Sequence, residues 1–274
     1  MTNNLRLGIS PCPNDTFMFY ALLNGKVQAP CNLDPVIRDV EELNEMVARG
    51  ELQVSKVSYH LAGLVQDRYK ILPVGSALGW GCGPLVVVDE TRPFEGLAGR
   101  RVAVPGKFTT AHMLLRLYEP QVGETIPMLF SKIPGAVKGG EVEAGVIIHE
   151  SRFTYRDLGL KAVVDLGEWW EKGFGLPIPL GGIIYKRELD GEIAEGLASS
   201  LRESILYAWS HIDEVIPFMK QWAQELDESV ILSHVRLYVN DFSMDLGELG
   251  RKAVDFLFRL GIERGLFPER DRDT

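Results

Sequence analysis

Two stretches of this chain decide its fold: LRLGISPCPNDTFMFYALL (residues 5–23) and RVAVPGKFTTAHMLL (residues 101–115). Each is an apolar strand that runs through a turn into a helical pattern. Each is followed by a second strand that ends in polar residues, at 51–60 and 141–151. This order of strand, helix and strand is typical of βαβ units in parallel or mixed sheets. The repetition predicts two similar α/β units that face each other across a cleft.

The composition is that of a soluble globular protein. The 274 residues suffice for one large or two modest domains, and 46% of them are hydrophobic. A formal net charge of −9, with no cluster of Lys and Arg, argues against nucleic acid or an anionic membrane as a partner. The three cysteines form no CxxC pair. This usage is typical of a reduced protein with neither a disulfide framework nor a zinc site.

The N-terminal residues MTNNLRLGISPCPND lack the basic region, the apolar region and the cleavage site of a secretory signal. No apolar run approaches the roughly 20 residues that a membrane-spanning helix needs. We therefore expect a cytoplasmic protein.

Short apolar runs without alternation predict strands that helices cover on both faces. We expect strands at residues 5–10, 36–39, 54–57, 85–88, 101–104, 145–148, 162–165 and 182–185, with helical patterns between them and a helical region after about residue 188. Two segments rich in Pro and Gly resemble connections between lobes. The expected fold class is therefore α/β, with two mixed-sheet domains and a cleft between them. Residues 1–88 and 186–274 form the first, larger lobe, and residues 89–185 form the second.

The turn SPCPNDTF precedes the first helix. Its prolines at 11 and 13 exclude regular structure there, so the helix is expected to begin after them. Asn14, Asp15 and Thr16 are residue types that cap helices. Free backbone N–H groups at the carboxyl end of a strand attract anions, which makes Asn14 a candidate substrate contact. A plain helix cap fits the same residues, and both interpretations stay open.

Two further segments place polar groups at the expected cleft. At the end of the third strand, Lys56 offers a charge and Ser58 a hydroxyl, with Val57 between them. Lys56 either pairs with a carboxylate of the ligand or is an ordinary surface lysine. Thr109 and Thr110 stand where a helix begins and offer hydroxyl and N–H groups that suit a carboxylate. A structural cap explains this pair equally well.

His149 directly follows the apolar strand GVII, so it is expected at the sheet edge with its ring towards the cleft. A histidine pKa near ~6.5 makes the neutral imidazole a workable general base at neutral pH. An incidental hydrogen-bonded histidine is the alternative. The other four histidines, which include His234 in the helical C-terminal region, are expected to be poorer candidates.

The chain resembles the menaquinone-biosynthesis enzymes of the futalosine route, over nearly its whole length. The resemblance rests on SPCPNDTFMFYAL, KVSYH, ALGWGCGPL, VPGKFTTA, EAGVIIHESRFTY and WWEKGFGLPIPLGGI, which occur in this order. It implies a two-lobed fold of the periplasmic-binding-protein type II class. It also implies a lyase that converts cyclic dehypoxanthinyl futalosine to 1,4-dihydroxy-6-naphthoate, and neither a metal nor an organic cofactor.

The resemblance further implies roles for single residues. His149, in the IIHE motif, matches the proton acceptor of the family. Lys56, Val57 and Ser58 match the substrate-binding loop of the first lobe, and Thr109 and Thr110 match that of the second. The expected partner is a small-molecule substrate with a carboxylate. Two alternative functions stay open: a cytosolic small-carboxylate-binding protein of the same fold, and the sister activity, chorismate dehydratase. Whether the protein forms a homodimer also stays open.

Overall fold

The computed structural model of the protein describes residues 4–223 and 227–267. The strands are β1 (Leu5–Ile9), β2 (Leu33–Ile37), β3 (Val54–Ser58), β4 (Tyr69–Ile71), β5 (Ala77–Gly79), β6 (Leu85–Asp89), β7 (Val102–Val104), β8 (Thr125–Pro127), β9 (Ala144–Ile147), β10 (Leu160–Asp165) and β11 (Ile178–Lys186). The α-helices are α1 (Pro13–Leu23), α2 (Val40–Ala48), α3 (Tyr59–Leu64), α4 (Thr110–Tyr118), α5 (Ile133–Gly139), α6 (Ser151–Thr154), α7 (Leu166–Phe174), α8 (Gly191–Ser210), α9 (Ile212–Lys220), α10 (Glu228–Tyr238), α11 (Asp241–Met244) and α12 (Gly247–Glu263).

The strands form two mixed sheets. The first has the order β2-β1-β3-β11-β4, and β5 also pairs with β11; β2, β1 and β3 are parallel, whereas β11 runs antiparallel to its neighbours. The second has the order β10-β6-β9-β7-β8, with β7 parallel to both β8 and β9. The predicted α/β fold with two mixed sheets is confirmed.

Each of the eight predicted strands overlaps a strand of the structure. Three further strands, β4, β5 and β8, were not predicted. Each has only three residues, too few for a period of two to stand out from the surrounding loop. Among the helices that the structure describes, none combines the length and the apolar character of a membrane-spanning segment.

The division into lobes at residues 88 and 186 stays a prediction. Strand pairing assigns all of β6 to the second sheet and all of β11 to the first. The strand pairing therefore favours lobe boundaries slightly earlier in the chain than residues 88 and 186, namely before residue 85 and before residue 178.

The first helix lies inside the protein, between the first sheet and the C-terminal helices. Ten of the residues of α1 are buried, from Pro13 to Leu22, and the helix packs against α8, α9 and α10. A helix that is apolar on all sides is typical of such a central position. Because α1 is enclosed, polar residues in its first turn are held rigidly at the edge of the sheet.

The start of α1 differs from the expectation. The helix begins at Pro13, and Cys12 is its N-cap. Proline fits the first helical position, because the N–H that it lacks has no partner inside the helix at that point. Asn14, Asp15 and Thr16 therefore lie inside the first turn and do not cap it. The side chains of Asn14 and Asp15 form bonds beyond the helix, whereas the Thr16 hydroxyl donates back to the carbonyl of Cys12 at 3.1 Å.

The two connections between the sheets touch each other. Gly83 lies before β6 and Gly167 lies in the first turn of α7. A Cβ atom added to Gly83 would lie 2.3 Å from the Cα of Gly167, and the N–H of Leu166 donates to the carbonyl of Pro84 at 3.0 Å. Backbone packs on backbone here, so there is no flexible side chain that can move aside.

We expect Gly83→Ala to lower the free energy of unfolding by about 1–3 kcal/mol, the usual cost of overpacking. The measurement is urea unfolding followed by circular dichroism. Gly135→Ala in α5 is the matched control, because a Cβ there meets nothing within 4 Å. In a helix interior the added methyl group stabilises by up to about 1 kcal/mol. Equal effects of the two substitutions would contradict the close contact.

Candidate active site

A cleft lies where strand ends of the two sheets face each other. Its empty space is about 630 Å³, including the part open to solvent. In α/β proteins, ligands bind outside the carboxyl ends of the parallel strands, and here β1, β3 and β9 all end at the cleft. The cleft is lined by Ser10, Asn14, Asp15, Val40, Lys56, Val57, Ser58, Ala77, Cys82, Pro84, Thr109, Ile148, His149, Leu180, Gly181 and Tyr238.

A buried ion pair forms the wall of the cleft in the first lobe. The Nζ of Lys56 lies 2.8 Å from Oδ1 of Asp15, and the two side chains are 5% and 1% exposed. Lys56 also donates to the carbonyl of Gly75, and Asp15 accepts from the Ser10 hydroxyl at 2.6 Å and from Asn14 Nδ2 at 2.8 Å. Lys56 is therefore neither a surface lysine nor an unpaired charge, and its partner was not predicted.

His149 lies opposite this pair, at the end of β9. Its Nε2 is 3.4 Å from Sγ of Cys12, and its ring meets the ring of Phe130 edge to face at 5.0 Å. Its φ of 57° is the only positive value among the non-glycine residues that the structure describes. Such a backbone conformation is strained, and strained residues concentrate at functional sites.

The electrostatics keep His149 neutral. Burial lowers the pKa of its imidazole to about 4, with the Asp15 carboxylate acting in the opposite direction and the Lys56 ammonium in the same direction as burial. At neutral pH the ring therefore carries a free lone pair, as a general base requires.

A second histidine, judged a poorer candidate from the sequence, lies beside the first. His234 on α10 is fully buried, and its ring stacks on that of His149 with 5.9 Å between centroids. Its Nε2 is 2.9 Å from Oδ1 of Asn14. Because Asn14 Nδ2 donates to Asp15, this Oδ1 accepts, and the Nε2 of His234 carries a proton. The signal in the sequence was a histidine on the apolar face of α10.

Ser58 and Val57 take the expected places at the cleft. The backbone N–H of Ser58 donates to Asn44 Oδ1 at 2.9 Å, and Asn44 Nδ2 donates to the Ser58 hydroxyl oxygen at 3.2 Å. The hydroxyl thus accepts from Asn44 and keeps its own proton for an acceptor in the cleft. Val57 lines the floor, where a Cβ on Gly181 would lie 2.7 Å from the Val57 carbonyl oxygen.

Thr109 and Thr110 have different positions relative to the cleft. Thr109 lines the cleft and caps α4, accepting from the N–H of His112 at 3.3 Å. Thr110 does not line it. Its hydroxyl donates to the carbonyl of Leu180 at 2.6 Å and accepts from the N–H of His60 at 3.2 Å. Thr110 therefore joins α4 to β11 and α3.

Four histidines that are buried or partly buried predict how stability depends on pH. Burial lowers the pKa values of His149 and His60 to about 4, and it also lowers those of His112 and His234. In the unfolded chain these groups protonate near pH ~6.5, so the unfolded state binds more protons below that pH. Stability is therefore highest above pH ~6.5 and falls as the pH drops towards 4.

We expect the midpoint of urea unfolding to be clearly lower at pH 5 than at pH 7.5, since each unit of pKa difference corresponds to about 1.4 kcal/mol. His60→Gln should remove part of the dependence. A midpoint independent of pH would contradict the neutral state of these rings in the folded protein.

In residues 4–223 and 227–267, no three side chains of His, Cys, Asp or Glu lie together as metal ligands. The chemistry of the cleft rests on one neutral imidazole, an ion pair, hydroxyl groups and apolar walls. This set suits proton abstraction from an organic ligand.

Known proteins resemble the chain over nearly its full length. A sequence model of the family described as menaquinone biosynthesis matches residues 5–263. A 1,4-dihydroxy-6-naphthoate synthase of Thermus thermophilus is 50% identical over 262 residues, which cover 96% of this chain and 95% of that protein. The enzyme of the same name from Streptomyces coelicolor is 44% identical over 277 residues, with 99% and 98% covered.

Solved structures agree with the fold. A crystal structure of a protein from Archaeoglobus fulgidus superposes with a TM-score of 0.91 at 37% identity, covering 96% of this chain and 98% of that one. The alkanesulfonate-binding protein of Xanthomonas axonopodis gives a TM-score of 0.70 at 16% identity, with 97% and 94% covered, which shows the fold alone. The predicted periplasmic-binding-protein fold is thereby confirmed. Since the family model spans all but the ends of the sequence, the chain belongs to the menaquinone-biosynthesis family.

Proposed function

We propose that the protein is a lyase that converts cyclic dehypoxanthinyl futalosine to 1,4-dihydroxy-6-naphthoate, with His149 as the general base. The observation that carries the proposal is the position of a neutral imidazole at the end of β9, facing a largely apolar cleft. The relatives named 1,4-dihydroxy-6-naphthoate synthase, at 50% and 44% identity, support the same reaction.

The residues of the cleft fit the chemistry that such a step needs. Release of an aromatic product from its precursor needs removal of a proton next to a carbonyl group and a place for the developing negative charge. His149 takes the proton, and general-base catalysis of this kind contributes about 10²–10⁴-fold. The N-terminus of α4, at Thr109, stabilises the developing charge through the helix dipole, and lobe closure excludes water.

We assign the substrate's carboxylate to the side of the cleft formed by Ser58 and Thr109. The Ser58 hydroxyl accepts from Asn44 and so has its proton available for a carboxylate oxygen. Thr109 stands at the N-terminus of α4, where the helix dipole favours an anion. We further assign Asn14, Lys56 and Val57, which also line the cleft, to substrate binding. They contact the substrate directly or hold the residues that do so.

The test is incubation of the purified protein with cyclic dehypoxanthinyl futalosine, with product followed by absorbance and mass spectrometry. Formation of 1,4-dihydroxy-6-naphthoate is the expected result. Tight binding of a small carboxylate without turnover would favour a binding protein of the same fold. Turnover of chorismate in its place would favour the sister activity.

We also propose that the enzyme acts in the cytoplasm. The three cysteines Cys12, Cys31 and Cys82 form no disulfide, as is usual in a reducing compartment. A homodimer is tested by the molar mass in solution.

A further inference from the structure

Cys12 and His149 meet across the cleft. Cys12 caps α1 in the first lobe, and His149 follows β9 of the second sheet, 137 residues later. The Cys12 side chain is 3% exposed and makes no capping hydrogen bond to α1. Its sulfur faces Nε2 of His149 at 3.4 Å, within the hydrogen-bond range for sulfur. A side chain of one lobe therefore contacts the proposed base of the other.

The sulfur is a neutral thiol. Burial raises the pKa of the Cys12 thiol well above its ordinary value, and the negative charges of Glu150 and Asp15 raise it further. A thiolate at neutral pH is thereby excluded, and with it a nucleophilic role for this sulfur. In its contact with His149, a neutral thiol is either a weak hydrogen-bond donor or a weak hydrogen-bond acceptor.

The two arrangements differ in which nitrogen of His149 is free. A neutral imidazole has one nitrogen that donates and one that accepts. If the thiol donates to Nε2, then Nδ1 carries the ring proton and neither nitrogen has a free lone pair. If Nε2–H donates to sulfur, the lone pair of Nδ1 is free. Only the second arrangement allows His149 to act as a base, so the inference rests on the proposed function.

We propose that Cys12 is a positioning residue, whose sulfur accepts a hydrogen bond from Nε2–H of His149 and so leaves Nδ1 as the nitrogen that takes the substrate's proton. The C–H proton of the substrate passes to Nδ1, and the electron pair of that bond stays on the substrate next to its carbonyl group. The imidazolium keeps the bond from Nε2–H to sulfur. Because the two residues belong to opposite lobes, the base is oriented when the lobes are together.

Replacement of the sulfur acceptor should change the basicity of His149. The charged or titratable groups that face this ring are Asp15 from α1, Lys56 from β3 and His234 from α10, and they stay in place in a Cys12 variant. A hydroxyl oxygen is a stronger acceptor than a thiol sulfur, so Cys12→Ser holds the imidazolium more firmly. The pKa of His149 should then rise, whereas Cys12→Ala removes the hydrogen-bond acceptor of Nε2–H altogether.

The kinetic test compares Cys12→Ala and Cys12→Ser with Cys31→Ser, a control at a half-buried cysteine outside the cleft. We expect Cys12→Ala to lower kcat by about 10–100-fold, since misplacement of a catalytic group has effects of that size, while KM changes little. Cys12→Ser should retain more activity and move the acidic limb of the kcat/KM profile to higher pH. Parent rates and an unshifted profile in both variants would overturn the proposal.

A second measurement needs no turnover. Nitrogen-15 NMR of histidine-labelled protein shows which ring nitrogen carries the proton, and His149→Asn identifies the signals of His149. We expect an unprotonated Nδ1 and a protonated Nε2 in the parent at pH 7. The opposite tautomer would overturn the role of Cys12 even if naphthoate is formed. The expected tautomer without any turnover would support the positioning contact and count against the proposed function alone.

Discussion

His149→Asn should lower kcat for naphthoate formation by about 10²–10⁴-fold, the usual contribution of a general base. The amide of asparagine has no group that takes a proton at neutral pH, so the effect should fall on kcat and leave substrate binding nearly intact. Asparagine is chosen because it tolerates the left-handed backbone region, where His149 has its φ of 57°. The measurement is steady-state kinetics together with substrate affinity from calorimetry.

The stability of this variant separates chemistry from folding. Because the backbone conformation suits asparagine, we expect the free energy of unfolding to stay within about 1 kcal/mol of the parent. His211→Asn, at an exposed position, serves as the control for a histidine substitution that leaves kcat unchanged. An undiminished kcat in His149→Asn with normal folding would remove His149 from the role of base.

The positions of the strands could be predicted because a strand that is buried on both faces is rich in apolar residues, and the local sequence shows them. β9 is a short apolar run, and β3 carries Val54 and Val57 among polar residues; the structure has a strand at both predicted positions. The polar residues that follow them were therefore also expected at the sheet edges. This reasoning brought His149 and Ser58 to one cleft without any knowledge of their neighbours.

The partners of these residues could not be predicted, because they depend on contacts between distant elements. Asp15 meets Lys56 because α1 follows β1 and because β1 lies parallel beside β3. His234 reaches Asn14 over 220 residues, and its place depends on how α10 packs on α1. Nothing in the local pattern around either residue reports such a contact.

Lys56→Met should lower the free energy of unfolding by about 3–5 kcal/mol, the range for removal of one member of a buried ion pair. The carboxylate of Asp15 would remain 1% exposed and without its counter-ion, with only the donors Ser10 and Asn14 to hold it. Lys172→Met, in the exposed pair with Glu168, is the control and should cost less than about 1 kcal/mol. Urea unfolding measures both.

The double variant Asp15→Asn/Lys56→Met decides whether the loss comes from the uncompensated charge. Removal of both charges leaves no buried ion unpaired, so most of the lost stability should return. The two substitutions should therefore be strongly non-additive, with an interaction energy on the order of 1–3 kcal/mol in a double-mutant cycle. Additive losses would mean that the two side chains act independently.

Because Asp15 and Lys56 influence the pKa of His149 in opposite directions, the double variant should also keep that pKa nearer to its parent value than either single variant does. The ion pair would then serve the cleft by holding two opposite charges at fixed positions near the base, and its cost in desolvation would be offset by the Gly75, Ser10 and Asn14 hydrogen bonds.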